Sequence, residues 1–157
     1  MIVIKPDSTP EYNKEKKFQS AGEHKIAAFL DSYHIPYRYQ PPVLVNDNGY
    51  QRLWYPDFGL QTYSIYIEYF GIQNDPEYDA RTAHKLQAYQ NSNLDVISVY
   101  PTHLQNNYKK YILEEIHQIM EYRLSDLEQK IQTYQRKFNA PGQYSFHRYA
   151  KQGIGYR

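Results

Sequence analysis

Apolar side chains recur along this chain with two different periods, which predicts an α/β protein. Over residues 20–33 they recur every three or four positions, as on the buried face of a helix. Ser20 suits the N-cap of this helix, and Pro36 follows its end. Residues 36–46 look extended, and the polar segment 46–49 predicts a tight turn.

The central part of the chain predicts a sheet with helices around it. Residues 52–60 and 64–70 read as two strands of a hairpin, and the second has apolar residues on both faces, as in a buried strand. Residues 77–91 then predict a helix, and 94–100 a buried strand. This order indicates an α/β fold with a central mixed β-sheet flanked by helices.

A long helical pattern follows, from Leu104 to Phe138. Its apolar positions at steps of three or four are Ile112, Ile116, Met120, Leu124, Leu127, Ile131, Tyr134 and Phe138. The pattern predicts one long C-terminal helix, or two helices joined near Ser125. A seam of this length can pack on the sheet or pair with a second copy, so we expect either packing or a homodimer through this helix.

The same pattern predicts three regions: an N-terminal arm over residues 1–18, a domain over 19–138 that includes the long helix, and a basic aromatic tail over 139–157. In the tail, Arg148 and Lys151 alternate with aromatic residues. Basic and aromatic residues in this arrangement suit single-stranded or distorted nucleic acid. The alternative is a terminus without fixed structure, or a segment that binds a protein partner.

Composition excludes several classes of protein. The 157 residues suffice for one domain, and a formal charge of +1 means that any nucleic-acid binding must come from a local patch. Because cysteine is absent, disulfides and thiolate metal sites are excluded. No apolar run approaches the roughly 20 residues of a membrane span, and the N-terminal residues do not resemble a signal peptide. We therefore expect a cytoplasmic protein with no membrane partner.

Two carboxylates stand in strongly apolar surroundings. Asp57 lies between large apolar residues, and Glu68 lies within a predicted core strand. Buried carboxylates need a partner, because removing the charge from water is costly. A divalent cation such as Mg²⁺ shared between the two strands would satisfy both. The alternatives are a turn in which Asp57 caps its own backbone, and a buried salt bridge from Glu68 to a lysine or arginine.

These residues belong to a longer motif. It runs Trp54-Tyr55-Pro56-Asp57-Phe58, then Ile65-Tyr66-Ile67-Glu68-Tyr69-Phe70-Gly71, then Tyr78 and Lys85-x-x-x-Tyr89. The motif resembles the PD-(D/E)XK (restriction-endonuclease-like) nuclease superfamily, and most closely the nuclease-like domains attached to some bacterial DNA helicases. The resemblance covers about residues 20–102. It implies a DNA endonuclease that needs Mg²⁺ or Mn²⁺ and carries its acidic residues on the two strands of a hairpin.

The resemblance also assigns roles to the acidic residues. Asp57 and Glu68 would bind the metal, and Glu23 matches the acidic residue that the superfamily often carries on its first helix. The helical period places Glu23 on the inward face, which agrees with that role. Ser20 and Glu23 also form a capping-box pattern, in which the glutamate only closes the start of the helix.

One position departs from the superfamily pattern. A lysine is expected two residues after the second acid, but Phe70 stands there. Lys85 on the following helix is the best replacement, and Tyr89 shares its helix face. Tyr89, Arg148 and Lys151 are then candidates for binding substrate. If Lys85 is instead a surface lysine, the protein becomes a catalytically degenerate nuclease fold that serves as a DNA-binding or assembly module.

Overall fold

The computed structural model describes residues 18–139. This part of the chain contains four helices and six strands, in the order α1 (Ala21–Ser32), β1 (Arg38–Tyr39), β2 (Val43–Asp47), β3 (Tyr50–Trp54), β4 (Phe58–Leu60), β5 (Ile65–Tyr69), α2 (Pro76–Asn91), β6 (Asp95–Val99), α3 (Pro101–Gln105) and α4 (Tyr108–Asn139). The predicted arm up to residue 17 and the predicted tail from residue 140 lie outside the described residues.

Four of the strands form a mixed sheet in the order β1-β4-β5-β6. The β1–β4 and β4–β5 pairs are antiparallel, whereas β5 and β6 are parallel. Helix α2 makes the crossover that a parallel pair requires. The predicted α/β class, with a mixed sheet and a long C-terminal helix, is confirmed.

The two remaining strands, β2 and β3, form a separate antiparallel sheet. Asn48 and Gly49 form the two-residue turn between them, with φ values of 51° and 85°. Positive φ at both positions is what a type I′ hairpin turn requires, and Asn-Gly is its preferred sequence. The predicted turn at 46–49 is therefore confirmed.

The prediction of one strand over residues 52–60 is wrong. Strand β3 ends at Trp54 in the small sheet, and β4 begins at Phe58 in the large one. Pro56 lies between them and has no N–H group to continue a ladder of hydrogen bonds. The extended segment 36–46 is likewise divided, by Gln40 with a φ of 46° and by the prolines that follow it.

The helix ends follow local sequence signals. The Glu23 N–H donates to the N-cap Ser20 Oγ at 3.1 Å, and Asp75 caps α2. The long helical pattern is divided between α3 and α4, at residues 106–107, and α4 continues through Ser125 without a break. The predicted start at Leu104 and the alternative junction near Ser125 are therefore wrong.

The large sheet is covered on both faces. Successive side chains of a strand point to opposite faces. On one face the Tyr69 ring lies against Gly22 of α1, so closely that a methyl group there would overlap the ring. On the other face Tyr66 and Val96 pack beside Tyr89 of α2 in a buried cluster. Because Glu68 has the parity of Tyr66, its side chain lies on the α2 face.

The chain divides into two compact units between Ile116 and His117, within α4. The first unit contains the sheets, α1 to α3 and the start of α4, where Ile112 is fully buried. The described part of the second unit is the remainder of α4. Over the described residues, 18–139, every helix is too short or too polar to cross a membrane.

Candidate functional site

Glu68 is a buried carboxylate on β5, with only 4% of the residue exposed. Lys85 Nζ forms an ion pair with its Oε1 atom. The Tyr89 hydroxyl donates a hydrogen bond to its Oε2 atom at 3.1 Å. Lys85 and Tyr89 are four residues apart on α2, so one helix face presents both groups. The alternative of a buried salt bridge from Glu68 to a lysine is therefore present, and its partner is Lys85, the candidate to replace the lysine missing at position 70.

Asp57 lies directly before β4, at the start of the hairpin that β4 makes with β5. Its Oδ2 atom accepts a hydrogen bond from the Tyr69 N–H at 2.7 Å, so it is anchored to the strand that carries Glu68. Burial, and then the negative charge of Glu68, raise the pKa of Asp57 to about 7. The hairpin therefore brings the two acids close enough to repel each other.

The pair carries excess negative charge when it is ionised. Burial raises the pKa of Glu68, against the opposing effects of the Lys85 charge and the Tyr89 hydroxyl. When all three groups are ionised, two carboxylates and one ammonium leave an excess of one negative charge. A divalent cation beside Asp57 would lower the free energy of the ionised pair.

A cation at this place would need ligands from outside the protein. Within residues 18–139 no group of three or more His, Cys, Asp or Glu side chains could hold a metal ion. From the protein, such a cation would have at most the carboxylates of Asp57 and Glu68, and both oxygens of Glu68 already accept from Lys85 and Tyr89. Mg²⁺ commonly binds through one or two carboxylates and takes its other ligands from water and phosphate.

Glu23 is also buried, at 5% exposed, and it closes the start of α1. Its Oε1 atom accepts from Ser20 Oγ at 2.9 Å, and its Oε2 atom accepts from the Gln19 N–H at 3.0 Å and the Tyr39 hydroxyl at 2.6 Å. Glu23 thus serves at the start of α1, but its backbone donor is Gln19 and not the cap residue Ser20 that a capping box uses. The charge of Glu23 also helps to raise the pKa of Asp57, so Glu23 contributes to the field at the site.

Phe70 is buried and carries no polar group toward the acids. Its ring stacks on Tyr100, with centroids 5.5 Å apart and an interplanar angle of 28°. The position that would hold the superfamily lysine is therefore part of the hydrophobic packing. The ammonium group reaches Glu68 from α2 instead.

A groove of about 670 Å³, which the sequence did not predict, adjoins Lys85. It lies between β3 and α2, and Trp54, Tyr55, Arg81 and His84 are among its lining residues. The Trp54 ring meets the Tyr89 ring edge-on at 5.5 Å, which connects the groove wall to the acidic pair. One feature of the sequence could have indicated this groove. Residues 53–55 are all apolar or aromatic, and a short strand with one buried face needs fewer such residues.

The candidates for substrate binding lie in different places. Tyr89 is 1% exposed, and its hydroxyl is engaged with Glu68, so its contacts are those of a residue that positions the carboxylate. Arg148 and Lys151 lie outside the described residues.

Asp47 pairs with two basic side chains beside the groove. His84 Nε2 lies 2.9 Å from Asp47 Oδ1, and Arg52 Nε lies 3.0 Å from the other oxygen of that carboxylate, Oδ2.

We expect Asp57→Asn to stabilise the metal-free protein at pH 8. The pKa of Asp57 is about 7 in the folded state, against about 3.9 for an ordinary aspartate, so folding favours the protonated form. Wild-type stability in EDTA should therefore fall as the pH rises from about 4 to about 7. The variant lacks this loss and should gain on the order of 2–4 kcal/mol at pH 8.

Urea unfolding in EDTA at pH 5 and pH 8 measures this effect. The exposed residue Asp31 provides the control variant Asp31→Asn, for which the two pH values should give the same difference from wild type within error. A stability gain for Asp57→Asn that is equal at both pH values, or a loss at pH 8, would contradict the raised pKa of Asp57, which burial and then the charge of Glu68 produce.

No protein-family model matches this chain, and no curated protein or solved structure shows a significant match to it.

Proposed function

We propose that this protein is a Mg²⁺-dependent phosphodiesterase that cleaves DNA. The observation that carries the proposal is the contact between Lys85 Nζ and the buried Glu68, beside Asp57. It supplies two carboxylates for a cation and an ammonium group at the same place. DNA as the polymer follows from the resemblance to helicase-linked nuclease domains, and Mn²⁺ would replace Mg²⁺ at the same ligands.

Each group of the site then has a role. Asp57 and Glu68 would hold the cation, which when bound supplies a Lewis acid and lowers the pKa of water. The Tyr69 N–H fixes Asp57, and the Tyr89 hydroxyl fixes Glu68. In the reaction, the water oxygen bonds to phosphorus and the bond from phosphorus to the leaving oxygen breaks. Negative charge builds on the phosphate during this step, and Lys85 places a positive charge beside it.

The groove beside Lys85 supports a polymeric substrate. Tyr55 is 53% exposed in it, and Trp54 forms part of its wall. Aromatic rings of this kind stack on unpaired bases. Arg81 adds an exposed positive charge that can meet a phosphate. We therefore place the strand that is cut along this groove, with its scissile phosphate at Lys85.

Tyr55→Ala is expected to raise the KM for single-stranded DNA roughly tenfold, with kcat changed little, because base stacking contributes about 1–3 kcal/mol per base. Steady-state cleavage of a labelled oligonucleotide measures both constants. The matched control is Tyr50→Ala, which removes another exposed ring, at the start of β3, from a residue that is not among those lining the groove. Equal effects of the two substitutions would exclude the groove as the substrate path.

A second candidate is a nuclease fold that binds DNA without cutting it. Phe70 in the place of the expected lysine favours it, and so does Glu68, both of whose oxygens already have protein donors. In this case the ion pair between Lys85 and Glu68 would be structural. DNA affinity that is independent of Mg²⁺, without any cleavage, would be the expected behaviour.

A panel of substrates tests the proposal. Plasmid, single-stranded and branched DNA, together with RNA of the same sequences, are incubated with the purified protein in Mg²⁺, Mn²⁺ or EDTA. The proposal predicts cleavage of at least one DNA form in either metal, and none in EDTA. Cleavage that persists in EDTA, or in the variants Asp57→Ala and Glu68→Ala, would overturn it. Binding without cleavage in every condition would favour the second candidate.

A further inference from the structure

A stripe of exposed apolar side chains runs along α4 within the second unit. From Met120 onward its members follow each other at steps of four, three, four, three and four residues. They are Met120, Leu124, Leu127, Ile131, Tyr134 and Phe138, and they are between 40% and 75% exposed. A contiguous apolar surface of this kind on a helix is typical of a face that packs against a partner.

The spacing of the stripe identifies the geometry of the partner. Alternate steps of three and four average 3.5 residues, which is the repeat of a left-handed coiled coil rather than of a straight helix on a sheet. In heptad notation Leu124, Ile131 and Phe138 occupy the a positions, and Met120 and Leu127 occupy d positions. The stripe therefore has the form of a coiled-coil seam over residues 120–138.

The charges beside the seam have opposite signs on its two flanks. The g positions are Arg123, Lys130 and Lys137, and the e positions are Glu121, Glu128 and Gln135. In a parallel pair of identical helices each g position meets the e position of the next heptad, so Arg123 faces Glu128 of the other helix. In an antiparallel pair the basic flank would face itself, which is repulsive. The flanks are thus complementary to a second copy of the same helix in parallel orientation.

We propose that this face is covered by a second copy of the chain, in a parallel two-stranded coiled coil over residues 120–138. The self-complementary flanks select a second copy over an unrelated helix, because both signs are supplied by one sequence. The proposal does not depend on the nuclease activity.

Sedimentation of the full chain over a wide range of concentration tests the assembly. The mass should rise from the 18.8 kDa of one chain to twice that value. Leu127→Glu should leave a monomer at every concentration, whereas Gln129→Glu, on the opposite face of the helix, should still dimerise. A wild-type monomer throughout, a trimer or tetramer, or equal loss of assembly in both variants would overturn the proposal.

Cross-linking tests the orientation, and it is unambiguous because the chain has no cysteine of its own. In the parallel pair Leu124→Cys lies beside its own equivalent and should form a disulfide-linked dimer on mild oxidation. In an antiparallel pair it would lie beside position 134 instead. Efficient cross-linking only in a mixture of Leu124→Cys and Tyr134→Cys chains would overturn the parallel arrangement.

A charge exchange tests the contact between the flanks. Arg123→Glu should weaken the dimer at least severalfold, because it places two glutamates opposite each other. Adding Glu128→Arg in the same chain should restore the wild-type dissociation constant within a few-fold. Failure of the double variant to recover, while circular dichroism shows an intact helix, would contradict the parallel pairing of these two positions.

Discussion

Asp57→Asn is expected to lower Mg²⁺-dependent cleavage at least about a thousandfold while the fold persists. The amide keeps an oxygen that can accept the hydrogen bond from the Tyr69 N–H, so the local backbone is preserved. It removes the negative charge that attracts the cation. Lewis-acid stabilisation of a phosphoryl transition state amounts to several kcal/mol, and each 1.36 kcal/mol corresponds to about a factor of ten in rate.

Single-turnover rates at saturating Mg²⁺ and DNA measure this loss without the complication of product release. The same preparation should melt at or above the wild-type temperature in EDTA, because the neutral amide removes the cost of burying a charge and the repulsion with Glu68. Asp31→Asn, on the exposed side of α1, is the matched control and should retain the wild-type rate. A rate for Asp57→Asn within tenfold of wild type would show that the metal is held elsewhere or is not needed.

Lys85→Met is expected to lower the single-turnover rate by about 10²–10³, with a much smaller effect on substrate affinity. Methionine has a similar length and fills the same space, but it carries no charge to stabilise the phosphate as negative charge builds on it. Because Asp57 and Glu68 remain, binding of Mn²⁺ should persist. The predicted signature is therefore a protein that binds metal and DNA but turns over slowly.

Two further variants make the loss at Lys85 interpretable. Lys110→Met removes an exposed lysine that lies 3.4 Å from Glu114, and it should leave the rate unchanged. Lys85→Arg keeps the charge beside the buried Glu68 and should recover part of the rate. Lys85→Met leaves Glu68 without its ammonium partner and can therefore be less stable than wild type. The comparison with Lys85→Arg still isolates the role of the positive charge. Wild-type turnover in Lys85→Met would contradict the assigned role.

The acidic pair could be predicted from sequence because its arrangement is local. Asp57 and Glu68 are joined by a short hairpin, and a strand with apolar residues on both faces indicates burial. Lys85 was harder to predict, since its position depends on how α2 crosses from β5 to β6. The helical spacing placed Lys85 and Tyr89 on one face, and the structure shows that this face meets Glu68.

The groove could not be predicted, because it depends on packing between distant segments. Pro56 follows the end of one strand and allows the chain to enter another sheet, so Trp54 and Phe58 belong to different sheets. Only the packing of the small sheet on α2 then brings Tyr55 and Arg81 to one groove. Sequence periodicity reports which face of an element is apolar, and it does not report which other element covers that face.

We propose above all that Asp57 and Glu68 share one divalent cation. Anomalous diffraction from crystals soaked in Mn²⁺ tests it most directly, because the method locates the metal without requiring turnover. We predict a single strong peak within coordination distance of carboxylate oxygens from both residues, and its loss in Asp57→Asn crystals soaked in the same way. A well-ordered site without a peak at saturating Mn²⁺, with Lys85 still paired to Glu68, would contradict the claim.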